Sequence, residues 1–163
     1  MKIGGKLLER KTGVRSRYWQ VFWLCFAVAA ALFLPHCIID GLNGDFFHYA
    51  GDFNDQQINF YQYANAFVKQ GGTFSWATDL GSGFVNSYSF YLCGSPFFWL
   101  SFLFPASAFP YLVGWIYMLK YAVAGLTSFA YFRRSASEKS ALLGSVLYAF
   151  SGFSCINVVF YHF

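Results

Sequence analysis

From Tyr18 to Ile39 the chain runs for 22 residues without a formal charge and then meets Asp40. At 1.5 Å rise per residue that is about 33 Å of helix, enough to cross the hydrocarbon core of a bilayer. The rest of the sequence agrees. Hydrophobic residues make up 57% of it, aromatic residues 24% and charged residues only 11%, where a soluble domain carries roughly a quarter charged residues. The same composition argues against a disordered chain, a coiled coil and a nucleic-acid arm, so nucleic acid is not an expected partner. With 163 residues there is room for three or four crossings of about 20 residues, too few for a large transporter. The expected fold class is an all-α polytopic membrane protein with membrane lipids as its first partners.

Charge sets the expected topology. Residues 1 to 17 hold Lys2, Lys6, Arg10, Lys11, Arg15 and Arg17 against Glu9, whereas residues 40 to 79 hold Asp40, Asp45, Asp52, Asp55 and Asp79 against Lys69. Arg133, Arg134 and Lys139 then stand against Glu138. Basic residues beside spans stay in the cytoplasm. The segment 1–17 therefore reads as a cytoplasmic tail, 18–39 as a first span, and the acidic stretch as outside. A cleaved signal peptide is disfavoured, because the apolar stretch is long for one and no small-x-small site follows it.

Residues 80 to 119 carry no charge but are broken by Gly81, Gly83, Pro96, Pro105 and Pro110. If both 84–104 and 110–132 crossed, Arg133 and Arg134 would lie outside, against the charge rule. Residues 110–132 make the better helix, with Pro110 tolerated in the first turn. That leaves 84–104 as short helices on, or dipping into, the outer leaflet, inside an outer loop covering 40–109. A cytoplasmic loop at 133–140 and a last span at 141–163 complete the expected order. The chain stops as that span reaches the outer face, which reads as the front part of a longer protein. Cys25, Cys37, Cys93 and Cys155 show no CxxC pairing and read as small packing residues, with no metal site expected.

The loop is the one polar stretch of any size, so chemistry is expected there. Asn54-Asp55-Gln56-Gln57 resembles a capping box, followed by Ile58, Tyr61 and Val68 at helical spacing and by Gly71-Gly72 as a stop. Such a helix would lie at the membrane surface or pack on other protein. Asp52 and Asp55 fall near its first turn, where the helix dipole favours a carboxylate with or without chemistry. A functional carboxylate there would take a proton from an acceptor hydroxyl, or ligate a divalent cation that screens a phosphate. Gly81-Ser82-Gly83 permits close backbone approach but lacks the strand and helix context of a nucleotide-phosphate fingerprint. Lys120 lies ten residues beyond Pro110, about 15 Å into the span. A charge that deep costs at least about 2.5–3.5 kcal/mol unless paired or hydrated, so it should face the bundle.

Gly51-Asp52, Gln56, Phe60-Tyr61, Trp76, Leu80-Gly81-Ser82-Gly83, Tyr91, Ser95-Pro96-Phe97 and Leu103-Phe104-Pro105 together resemble the N-terminal region of the bacterial YfhO family, related to the GT-C glycosyltransferases. The resemblance implies a GT-C-like front end whose first outer loop carries the catalytic acid, at Asp52. It implies transfer of a sugar from a polyprenyl-phosphate donor to a cell-surface polymer acceptor such as lipoteichoic acid, in the bacterial cell membrane. Asp55, Gln56, Trp76 and Lys120 are the expected substrate-binding residues, Lys120 toward the donor phosphate. The rival reading is a non-catalytic membrane module serving an export or assembly complex. For the topology, a cysteine introduced at Asn65 should react with an impermeant thiol reagent applied outside, and one at Ser137 should be spared; the reverse pattern overturns the assignment.

Overall fold

The protein, seen in a computed structural model, is described over residues 3–48 and 53–157, with side chains from residue 17 onward. Helix α1 covers Ile3–Leu42, α2 Asn59–Lys69, α3 Phe84–Tyr88, α4 Pro96–Leu100, α5 Phe109–Phe132, α6 Glu138–Ala149 and α7 Gly152–Ile156. The strands β1, Phe74–Ser75, and β2, Ser82–Gly83, form a two-stranded antiparallel ladder that pairs Phe74 with Gly83 and Ser75 with Ser82. Three stretches, Arg17–Leu42, Ala106–Phe132 and Glu138–Ile156, are long and apolar enough to cross a membrane. The fold class is thus the expected one, an all-α polytopic membrane protein with short helices in a large loop.

Element edges differ from the sequence reading in instructive ways. The basic tail is helical from Ile3, continuous with the first span, and Pro35 is accommodated inside that helix. Asp40 does not end it, because the terminator is Gly44. With φ at +78°, Gly44 lets its own N–H reach the Gly41 carbonyl while Asp45 N–H reaches that of Asp40, at 3.2 and 2.9 Å. This is the Schellman pattern that satisfies the last carbonyls of a helix. The third span begins at Glu138, earlier than expected, because Ser137 accepts from Ser140 N–H at 3.2 Å and caps it. It also breaks between α6 and α7. There Ser151 accepts from Ser154 N–H at 3.4 Å, a local side-chain bond that competes with the helical ladder. Residues 158–163 of the expected span lie outside the described residues.

The chain divides into two compact units. The first comprises residues 1–35 and 117–155. Val21, Cys25, Ala29 and Phe33 form a buried stripe at four-residue spacing along α1. A Cβ built at Gly125 would fall on Cys25 Sγ, so glycine is what lets α5 approach there. The buried residues of α6 are all small: Ala141, Ser145 and Ala149. Small residues allow close backbone approach where lipid supplies no hydrophobic drive between helices. Polar groups here are satisfied within the unit, Ser128 Oγ donating to the Ala124 carbonyl at 2.7 Å and Ser145 Oγ to that of Leu142 at 2.7 Å. Phe33 packs against Tyr117 and Tyr121, and Tyr121 stacks on Phe150 at 4.9 Å and donates to the Ser154 carbonyl at 3.1 Å.

The second unit comprises 36–116 and 156–163 and holds the loop. Its centre is α2. Tyr61 stacks on Phe109 at 4.3 Å and meets Phe98 edge-on at 5.3 Å. Ile58, Tyr61, Ala64 and Asn65 are buried and Val68 half-buried, so of the two placements left open by its sequence the helix takes the protein-packed one. Asn65 Nδ2 donates to the Ser101 carbonyl at 2.8 Å, and Lys69, one turn on, donates to the Phe104 carbonyl and lies over the Phe102 ring. These two side chains cap the end of the proline-broken segment that follows α4. As Asn65 is only 1% exposed, an outer-loop labelling site belongs at exposed Gln70 instead. Asn65→Ala should cost about 1–3 kcal/mol by orphaning a buried carbonyl, seen as a lowered thermal midpoint of the purified protein. Gln70→Ala should change nothing, and equal midpoints for Asn65→Ala and wild type would refute the capping role.

Candidate functional site

The turn after α1 sends the chain back on itself. Phe46 N–H donates to Asp45 Oδ1 at 2.8 Å, the Phe46 ring meets Tyr111 edge-on, and Phe47 is buried against Phe53. With 46 and 47 anchored, the His48 imidazole turns toward the helix end it has just left. His48 Nδ1 lies 3.1 Å from the Phe46 carbonyl oxygen and 3.4 Å from Asp40 Oδ2. A proton on Nδ1 is donated to that carbonyl; in the neutral ring Nε2 is then an acceptor, and in the charged ring both nitrogens donate. The Phe46 carbonyl, then the Asp40 charge, then that of Asp45 raise the His48 pKa above the ordinary histidine value, against a smaller desolvation effect. The charged pairing is therefore complete below the ordinary histidine range and lost as pH rises through the raised value.

Asp52 lies outside the described residues, between this pair and the turn that opens α2. That turn, Phe53–Ile58, is π-helical. Asn54 is thus inside a helix, not ahead of one as the expected capping box requires, and Gln57 is buried with Phe53 and Ile58. The wider turn is tied from the next one, Asn59 Nδ2 donating to the Asp55 carbonyl at 3.0 Å. Asp55 is exposed and Gln56 half-buried.

The β1–β2 hairpin carries Trp76. Asp79, Leu80 and Gly81 take φ values of 45°, 63° and 109°, two of them costly for residues with a Cβ. The turn is held by Gly81 N–H to the Thr78 carbonyl at 2.8 Å and by Thr78 Oγ1 against Tyr63 Oη at 2.5 Å. Gly81 spends its freedom on that turn and on the indole across it, for a Cβ there would come within 2.7 Å of the Trp76 ring. Phe74 braces the same indole edge-on at 5.3 Å, yet Trp76 stays 81% exposed. Beneath the hairpin Phe60, Tyr63 and Phe67 of α2 pack on Phe84, Tyr88 and Tyr91. Burial, helped by the charge of Asp79 and by Tyr63, raises the Tyr88 hydroxyl's pKa.

Asp55, Gln56 and Trp76 share the second unit but make no hydrogen bond, ion pair or ring contact with one another. Lys120 belongs to the first unit, half-buried on α5, with Nζ 5.8 Å from the Tyr117 ring centroid. Among the described residues no three His, Cys, Asp or Glu side chains converge as a metal site. The Asp40–His48 pair was missed by sequence reasoning. Its one signal is Gly44, a turn residue that allows an acid at a helix end to meet a histidine eight positions later.

Three helices long and apolar enough to cross a membrane, with short helices in the loop between the first two, define a multi-pass helical membrane protein. The family model of the bacterial membrane protein YfhO matches residues 22–163, and the chain belongs to that family. No curated protein and no solved structure matches it. For the new pair, the His48 imidazole should titrate above the ordinary histidine value by NMR, and Asp40→Asn should bring that value down without abolishing the shift, since the Phe46 carbonyl remains. An unchanged titration in Asp40→Asn would show that the carboxylate is not engaged.

Proposed function

We propose that the protein is an integral membrane glycosyltransferase that moves a sugar from a polyprenyl-phosphate carrier to a cell-surface polymer such as lipoteichoic acid, with its N-terminus in the cytoplasm and the acidic loop outside. The observation that carries this reading is the family membership over 22–163, which suggests a glycosyltransferase-like protein and covers the whole acid-bearing loop. Transfer from a lipid-linked sugar needs a base beside the acceptor hydroxyl, cationic or hydrogen-bonding groups on the leaving phosphate and a surface open to lipid. Asp52 is the base in this reading. Asp55 and Gln56, three and four residues further along the chain, are polar groups for the acceptor, and Lys120 is a cation for the donor phosphate.

Two features of the loop support the assignment. It is packed on α2 and braced by the Asn65 and Lys69 bonds, a rigid base of the kind that positioned chemistry requires. Trp76 offers an exposed indole face already held by Gly81 and Phe74, suited to stacking on a sugar ring at low ordering cost. Asp52→Asn should preserve membrane insertion and lower transfer from a defined polyprenyl-phosphate sugar roughly a hundredfold or more, the scale of losing a general base. Asp55→Asn should matter less. Transfer at the wild-type rate in Asp52→Asn would remove that residue from the mechanism.

A further inference from the structure

The end of the first unit that carries Arg17, Arg133, Arg134, Glu138 and Lys139 holds a cleft with no part in the reading above. It is lined by Tyr18, Ala130, Arg133 and Arg134 and has a volume of about 400 Å³. The Arg133 guanidinium lies over the Tyr18 ring, 5.7 Å from its centroid, a cation–π arrangement that fixes the cation without neutralising it. Tyr18 is itself held edge-on by Phe129 at 5.2 Å. The acid next along the chain is already taken, Glu138 pairing with Arg17 at 2.9 Å. Among the described residues no carboxylate pairs with Arg133 or Arg134.

Two arginines at one open cleft, with no carboxylate partner among the described residues, call for an anion, and guanidinium forks match the oxygens of a phosphate. Position along the spans tells which phosphate. Arg133 follows the last residue of the Ala106–Phe132 span, and Tyr18 is the second residue of the Arg17–Leu42 span. With these stretches spanning a bilayer, the cleft falls at the level where hydrocarbon gives way to headgroups. We infer that this cleft binds the headgroup phosphate of an anionic phospholipid, gripped by Arg133 and Arg134 against the Tyr18 ring. The inference holds whichever leaflet this end faces and does not depend on the transferase reading.

The test uses the full chain, purified in a neutral detergent, with phosphatidylglycerol, phosphatidylcholine or inorganic phosphate added, and reads lipid retention by native mass spectrometry together with the thermal midpoint. Phosphatidylglycerol should be retained in preference to phosphatidylcholine and should raise the midpoint. Arg133→Gln/Arg134→Gln should weaken its binding roughly thirtyfold, as expected from about 1 kcal/mol per basic residue at a membrane surface. Lys139→Gln, a charge loss outside the cleft, should leave the preference intact. Equal retention of the two lipids, or an undiminished preference in the double variant, overturns the proposal. A midpoint shift reproduced by inorganic phosphate alone overturns the lipid as the source of the anion. Should the double variant fail to accumulate, the wild-type preference and its loss in Tyr18→Leu decide the matter.

Discussion

Lipid tails are as apolar as leucine, so nothing squeezes spanning helices together in a membrane; they associate where backbones can come close. The first unit depends on this constraint. Its large apolar side chains, Trp19, Trp23, Leu24, Leu143 and Leu147 among them, are exposed, as lipid-facing groups can be without cost. Beside the buried Phe33, Met118 and Phe129, the interior residues where its backbones come close are small: Cys25, Ala29, Gly125, Ala141, Ser145 and Ala149. Larger residues at these positions would separate the backbones and lose the dispersion contacts that hold them. The buried serines fit because their hydroxyls return to carbonyls of their own helices.

The loop unit follows a different rule. Its order comes from aromatic side chains stacked and tilted around Tyr61 and Tyr63, with a few polar bonds at places where the proline-rich segment cannot satisfy its own carbonyls. Asn65 and Lys69 are one helical turn apart and meet carbonyls three residues apart, so one helix face secures a segment too broken to secure itself. That division matters for the proposed chemistry. Asp55 sits in the turn that leads directly into the bracing helix, and the indole of Trp76 is presented by a turn that other groups hold in place.

Much of this was legible in the sequence because charge and proline act locally. The partition of Arg133 and Arg134 against the acids of 40–79, with the breaks at Pro96 and Pro105, was enough to separate the spans from the short helices, and Ile58 and Tyr61 marked the buried face of α2. What escaped reading depended on tertiary context. Asn65 looks like a solvent-facing residue until a neighbouring carbonyl needs it. Asn54 and Gln57 have the spacing of a cap, a pattern that cannot reveal whether the helix has already begun. Asp40 and His48 are brought together by a glycine turn, and no periodicity links them.

The π-helical turn at Phe53–Ile58 has a geometric effect of its own. Each residue of an α-helix advances the azimuth by about 100°, and a π turn takes in an extra residue without completing an extra revolution. Phe53 and Gln57 of the turn are nevertheless buried, as Tyr61 and Asn65 of α2 are, so the turn carries the packed face upstream. Asp55, exposed within the same turn, lies off that buried side. An insertion or deletion within the turn would re-aim Phe53 and Asp55 while the packed face of α2 stayed where it is.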